Sequence, residues 1–233
     1  MKSDGRGPPP AAEFAPRRDL TRPVGGGYNP ECGDASAPCR PHPKGGETVN
    51  VSPSVRRILT VAVGAALLTV CSWISIPLTI PFTLQTFAVC LISALFGAPS
   101  ALLSLLIYVL LGLAGIPVFA GFRGGAGVLL GATGGYILGF FFTALIVGLT
   151  ASARKRGLPS LIVSMAAGVL VCYAFGTAWF MTVYARNTGP VGLGTALGWC
   201  VIPYLIPDAV KILLAAWLAR RLYPVLSRKR NGA

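Results

Sequence analysis

The chain has 233 residues, 54% of them hydrophobic and only 12% charged, with a mean hydropathy of +0.68. Soluble domains carry about 25% charged residues, so a protein of the aqueous phase is excluded and an integral membrane protein is expected. The net charge of +13 does not mark a nucleic-acid binder, because the first 50 residues hold seven basic and six acidic side chains, and most of the thirteen basic residues that follow cap apolar stretches, as cytoplasmic loop charges do.

Residues 1–50 are rich in proline, glycine and charges of both signs, a composition that cannot bury enough apolar surface to fold and is read as a disordered cytoplasmic tail. No apolar run precedes Val51, so this segment is not a cleavable signal peptide. The only histidine, His42, lies in it together with Cys32 and Cys39. The six cysteines show no metal-binding spacing, so no metal and no cofactor is expected. Cys71, Cys90, Cys172 and Cys200 fall in apolar segments and read as small buried hydrophobes.

Six apolar stretches follow, at about residues 58–76, 84–96, 100–113, 134–151, 161–184 and 195–219. They predict an all-α membrane domain over residues 51–226 with six transmembrane helices, ending in a basic cytoplasmic tail at 227–233. The second stretch is too short to cross upright without help from its flanks. Arg56, Arg57, Arg154, Lys155, Arg156, Arg220, Arg221, Arg228, Lys229 and Arg230 fall on one side of this pattern, and only Arg123 and Arg186 on the other. That bias puts both termini in the cytoplasm. Trp73, Trp179 and Trp199 lie near span ends and read as belt residues.

Two outer connections are unlike ordinary loops. Residues 75–85 alternate apolar side chains with proline and threonine, which breaks helix and leaves hydroxyls and an amide free. Residues 116–136 carry seven glycines among Val118, Phe119, Phe122, Leu129 and Leu130. Irregular backbone at membrane depth is tolerated where it is buried or lines a cavity, so both segments, with Leu78 among their apolar residues, are expected to dip back over one. Gly131, Gly135 and Gly139 form a stripe that permits close helix approach, and Ala62 with Ala66 makes a similar one in the first span.

Residues 202–218 carry Asp208, the only acid after Glu47, and Lys211. Ionisable groups at membrane depth are costly, usually paired and usually functional. Three residues apart, these two share a helix face and can pair. Pro207 is expected to open the helix, placing Asp208 near a helix N-terminus where free N–H groups can bind a polar ligand. A structural ion pair locking two helices is the plainer alternative to a ligand site.

Taken together, Ile80-Pro-Phe-Thr-Leu-Gln85-Thr86, Gly115-Ile-Pro-Val-Phe-Ala-Gly121, Arg123-Gly-Gly, Gly131-Ala-Thr-Gly-Gly-Tyr136-Ile-Leu-Gly139-Phe and Ile206-Pro-Asp208-Ala-Val-Lys211 resemble the BioY family, the biotin-specific substrate-binding (S) components of energy-coupling-factor (ECF) transporters of prokaryotes. The resemblance covers about residues 56–222, the whole membrane domain. The long tail lies outside the family pattern, and Ala132 stands where the family usually has proline. The resemblance implies an S-component fold in a prokaryotic plasma membrane, with biotin near the outer face under the first and third loops. It implies partners too: a transmembrane coupling subunit, met by the Ala62/Ala66 stripe, and two ATPase subunits.

Biotin offers ureido N–H donors and a carbonyl, a thioether ring and a carboxylated tail. Asp208 suits the N–H groups, and Lys211 or Arg123 the carbonyl or the carboxylate. Gln85 and Thr83 could add neutral hydrogen bonds, and Tyr136 or Trp199 an apolar wall with a polar edge. By resemblance Asp208, Lys211 and Arg123 rank first as substrate-binding residues, then Gln85, then Tyr136. The alternatives are a proton-coupled secondary transporter using Asp208, which the lack of an internal repeat disfavours, and an S component for another vitamin. A membrane enzyme is not expected, because the spans hold no nucleophile–base set or metal site.

Overall fold

Helix ends in this protein follow its sequence punctuation. The computed structural model describes residues 52–77, 80–152 and 157–231. Helix α1 (Pro53–Trp73) begins on the Ser52 hydroxyl, which accepts the Val55 N–H at 3.4 Å, and has proline in its first turn; a hydroxyl cap and an early proline both suit a helix start. The chain then forms β1 (Ser75–Ile76) and β2 (Phe82–Thr83), antiparallel with Ser75 opposite Thr83. Helices α2 (Gln85–Phe96) and α3 (Ala98–Leu113) are parted only by Gly97, whose φ of 80° is easy for glycine alone. Pro99 in the first turn of α3 cannot continue α2. The short α4 (Ala126–Leu130) precedes α5 (Gly134–Ser152), α6 (Leu158–Asn187), α7 (Leu193–Cys200) and α8 (Ile202–Asn231). The N-terminal tail, the Arg154–Arg156 charges and Leu78 lie outside the described residues.

The sixth apolar stretch is not one helix. It divides at Val201, with φ −124° and ψ −54°. The physical cause is Pro203, which has no N–H to donate to the carbonyl four residues back and so cannot extend α7, but is tolerated in the first turn of α8. Pro207 therefore does not open this helix but lies inside it, and the expected place of Asp208 at a helix N-terminus is corrected. At its other end α8 continues to Asn231, into the stretch read as a separate basic tail.

Four helices, α1, α5, α6 and α8, are long and apolar enough to cross a membrane; α2 and α3, at 12 and 16 residues, are shorter than the roughly 20 residues an upright span takes. The outward faces are apolar, with Val163, Leu170, Ile206 and Val210 all more than half exposed, as lipid rather than water requires. The protein is a mostly helical membrane protein. On α1, Ala62 and Ala66 are exposed while Val61, Ala65 and Leu68 are buried, so the alanine stripe faces outward.

Helix α2 is central: it packs on α1, α3, α5 and α8, and residues 88–94 are all buried, as expected of a helix apolar all round. One core cluster includes Leu68, Ile92, Leu105, Tyr108, Phe119 and Phe180. The other, with Leu91, Val147, Met165 and Ala215, joins α2, α5, α6 and α8. Cys71, Cys90, Cys172 and Cys200 are buried and free, as read from the sequence.

Helices α5 and α6 approach closely through glycine. A Cβ on Gly135 would stand 2.2 Å from the Trp179 Cβ, and one on Gly139 2.8 Å from the Cys172 sulfur. Gly131, the first member of the stripe, precedes α5 and instead accepts the Trp179 indole N–H at 3.0 Å. Trp179, half-buried, is thus held to the segment that precedes α5. Trp73 and Trp199 do lie partly exposed at helix ends.

Candidate functional site

The ion pair of α8 is buried, with Asp208 5% and Lys211 8% exposed. The Lys211 ammonium donates to Asp208 Oδ1 at 2.7 Å and to the Thr83 main-chain oxygen at 2.7 Å. It also stands 3.8 Å from the centre of the Phe82 ring, a cation–π contact. These three contacts match the three donors of an ammonium group. On the other carboxylate oxygen, Asp208 Oδ2 accepts the Tyr173 hydroxyl at 2.5 Å. Each carboxylate oxygen keeps a further lone pair for a ligand donor.

The connection between α1 and α2 is held over this pair. The Tyr204 hydroxyl, also on α8, donates to the Ile80 main-chain oxygen, and the Tyr204 ring stacks on Phe82 at 6.1 Å. The Leu84 N–H donates to Ile74 O at 3.3 Å, returning the connection to the end of α1. Thr83 serves twice, since its carbonyl holds Lys211 and its hydroxyl accepts the Gln85 N–H at 3.3 Å, at the start of α2.

The connection between α3 and α5 is tied to the same end of α1. Ser72 donates to Val118 O at 2.5 Å and the Trp73 indole to Pro117 O at 2.8 Å. Phe119 is fully buried, meets Tyr108 edge-on at 5.4 Å and lies so close over Gly112 that a Cβ there would come within 2.0 Å of its ring. Residues 119–123 close on themselves, the Phe119 N–H donating to Arg123 O at 2.9 Å. At the tip Phe122, with φ 57°, stacks on Trp73 at 5.0 Å. That is an uncommon backbone region for a bulky side chain, and the aromatic contact holds it there. Residues of both connections line a cavity.

The cavity has two adjoining parts, of about 50 and 60 Å3, with Ile80, Pro81, Thr83, Tyr136 and Phe140 lining both. Gln85, Tyr108 and Arg123 face the first part, and Asp208, Lys211 and Tyr173 the second. All six residues named from the sequence as substrate-binding (Asp208, Lys211, Arg123, Gln85, Thr83 and Tyr136) therefore line one composite space. Arg123 is exposed at its edge, and its Nε donates to Ala120 O at 3.3 Å. The Tyr136 hydroxyl is shared with Thr177 at 3.1 Å, so this residue offers mainly its ring. Trp199 does not line either part.

Sequence reasoning missed Tyr173, Tyr204, Phe82 and Tyr108. A tyrosine inside an apolar span is a weak signal that its hydroxyl needs a partner, but the partner's identity is a matter of the third dimension. Among the described residues, no group of histidine, cysteine, aspartate or glutamate could hold a metal ion.

Residues 45–228 match the sequence model of the BioY family. The chain is 38% identical to the biotin transporter BioY of Thermotoga maritima over 169 residues, covering 72% of this chain and 96% of that protein. It is 40% identical over 168 residues to the probable biotin transporter BioY of Pyrococcus horikoshii, with the same two coverages. The fold resembles the crystal structure of the S-component for biotin from an ECF-type ABC transporter, with a TM-score of 0.64 and 23% identity over 72% of this chain and 91% of that one. At that identity the likeness speaks for the fold alone. With a family match over most of its length and relatives aligned almost end to end, the chain belongs to the BioY family.

Proposed function

We propose that this protein captures biotin at the outer face of a prokaryotic plasma membrane and carries it inward as the S component of an ECF-type transporter. The observation that carries the reading is the buried Asp208–Lys211 pair at the wall of a cavity covered by two outer connections, in a chain whose relatives are named biotin transporters. Asp208 accepts a ureido N–H on a free lone pair, and Arg123 at the cavity edge takes the tail carboxylate. Tyr136 and Phe140 wall the ring system, and Gln85 and Thr83 supply neutral contacts. Charge-assisted bonds of this kind are worth about 1.5–3 kcal/mol each.

The six apolar segments make six spans, α2 and α3 crossing with the help of their flanks, with both termini cytoplasmic and residues 51–226 as the membrane domain. A reporter fused after residue 231 that reads out on the outer side would overturn that orientation. The outward Ala62/Ala66 stripe meets a transmembrane coupling subunit, which works with two ATPases. A proton-coupled carrier fits less well, because the six apolar segments show no evident internal repeat.

The test is equilibrium binding of biotin to the detergent-purified protein and to Asp208→Asn. Wild type binds, and the variant binds at least about tenfold more weakly, the loss of one charge-assisted hydrogen bond, while remaining folded. Equal binding by the two would remove Asp208 from the site, and no binding by folded wild-type protein would remove biotin as the ligand.

A further inference from the structure

The far end of α8 carries charge with no carboxylate to meet it among the described residues. Arg220 and Arg221 are exposed there. The one acidic side chain of the described residues is Asp208, which is buried and already paired with Lys211. The two arginines also stand at a defined depth. From Ile202, the first residue of α8, to Arg220 is about 27 Å of helix, close to the roughly 30 Å of a bilayer's hydrocarbon. Beyond them α8 runs on to Asn231 through three further basic residues of the sequence, at 228–230. Before them Val210, Leu213, Leu214 and Trp217 are each about half exposed or more, an apolar face turned to lipid. Steps of three and four residues carry that face onto Arg221, whose guanidinium carbon stands 5.8 Å from the centre of the Trp217 ring, within cation–π range.

We propose that Arg220, Arg221 and Trp217 form a binding site for an anionic phospholipid, the arginines holding its phosphodiester and the indole lying against the glycerol region. A guanidinium at the edge of the hydrocarbon needs a counter-charge, and the group that a membrane supplies at that depth is phosphate. The planar fork of arginine matches two phosphate oxygens at once. Tryptophan settles at the same level because its ring is apolar and its N–H is not. The contact with Trp217 holds the Arg221 side chain before any lipid arrives, so less freedom is lost on binding. A zwitterionic headgroup fits less well, since its ammonium brings a further positive charge to two arginines that no carboxylate offsets. None of the three residues lines either part of the cavity, so the site stands apart from the biotin reading.

A ligand of the folded state raises the melting temperature as its concentration rises. The full chain in detergent is therefore titrated with phosphatidylglycerol and, separately, with phosphatidylcholine of the same acyl chains. Phosphatidylglycerol raises the melting temperature at a lower mole fraction than phosphatidylcholine does, and high salt narrows the gap. In Arg220→Gln/Arg221→Gln the apparent affinity for phosphatidylglycerol falls about 30-fold, two cations at about a factor of five each. Trp217→Ala loses part of it, because Arg221 is no longer held. All three side chains are exposed, so these variants fold. Arg186→Gln removes an exposed charge at the end of α6 and leaves the affinity at the wild-type value. An equal loss in Arg186→Gln overturns the site, since net charge alone would then explain the preference. So does a wild type that responds alike to the two lipids, or a double variant that keeps the wild-type response. Glycerol phosphate in solution matching the effect of the lipid overturns the lipid as the ligand and leaves a site for free phosphate.

Discussion

Lys211 donates to the main-chain oxygen of Thr83 at 2.7 Å while donating to Asp208 at the same distance. One ammonium group thus joins the ion pair of α8 to the connection between α1 and α2. Asp208 and Lys211 sit three residues apart on one helix, but Thr83 is 128 residues away in sequence from the lysine it holds. The pair is both a local helix contact and the fastening of a distant segment, which makes its two members unequal.

Lys211→Met strands the Asp208 carboxylate on Tyr173 alone and frees Thr83 O. Removing one partner of a buried pair costs about 3–5 kcal/mol, much of which returns when both charges go. The expected order of thermal stability is therefore wild type and Asp208→Asn/Lys211→Met above Lys211→Met. Hydrogen exchange at residues 80–84 should rise in both lysine variants, because the bond to Thr83 is gone in each. A double variant no more stable than Lys211→Met would contradict the pairing.

Gly176→Ala acts on the cavity from behind. An added Cβ would stand 2.3 Å from the Tyr136 ring, and the ring lines both parts of the cavity. Overpacking of this kind costs about 1–3 kcal/mol. Displaced forward, the ring takes ligand space, so biotin affinity falls although no residue touching the ligand has changed. Calorimetry on the free and biotin-loaded protein separates the two losses. An affinity equal to wild type would show that Tyr136 yields in another direction.

Arg123→Ala should weaken biotin binding less than Asp208→Asn, because an exposed charge is screened and hydrated where a buried one is not. The loss should shrink further at high salt and be absent for biotin methyl ester, which lacks the carboxylate. An Arg123→Ala penalty that persists with the ester would assign the guanidinium to another part of the ligand.

Much of this was legible in the sequence for identifiable reasons. Helices α2, α3 and α5 end close to where the apolar runs end, because Gly97, Pro99 and the glycines before Tyr136 are local signals that packing does not override. Asp208 and Lys211 stood out because charge is so costly at membrane depth. The start of α8 did not, since two prolines four residues apart compete and only the chain's path around Val201 selects Pro203. Tyr173 was hidden for a different reason: in an apolar run an aromatic that packs and one that donates to a carboxylate look alike. The two-residue strands were equally hidden, being too short for any alternation to register.

The fastening of the first connection also has a length. Tyr204 and Lys211 are seven residues apart on α8, so they share a face about 10.5 Å apart along its axis. Their acceptors, Ile80 O and Thr83 O, are three residues apart, which is about 10 Å of extended chain. Helix and strand thus run alongside each other in the same direction as two rulers of different pitch that agree at both ends. One residue added between Pro81 and Phe82, or removed from α8 between Tyr204 and Lys211, spoils the agreement and leaves room for only one of the two fastenings. The spacing of that short connection is therefore as much a part of the binding site as the charges beneath it.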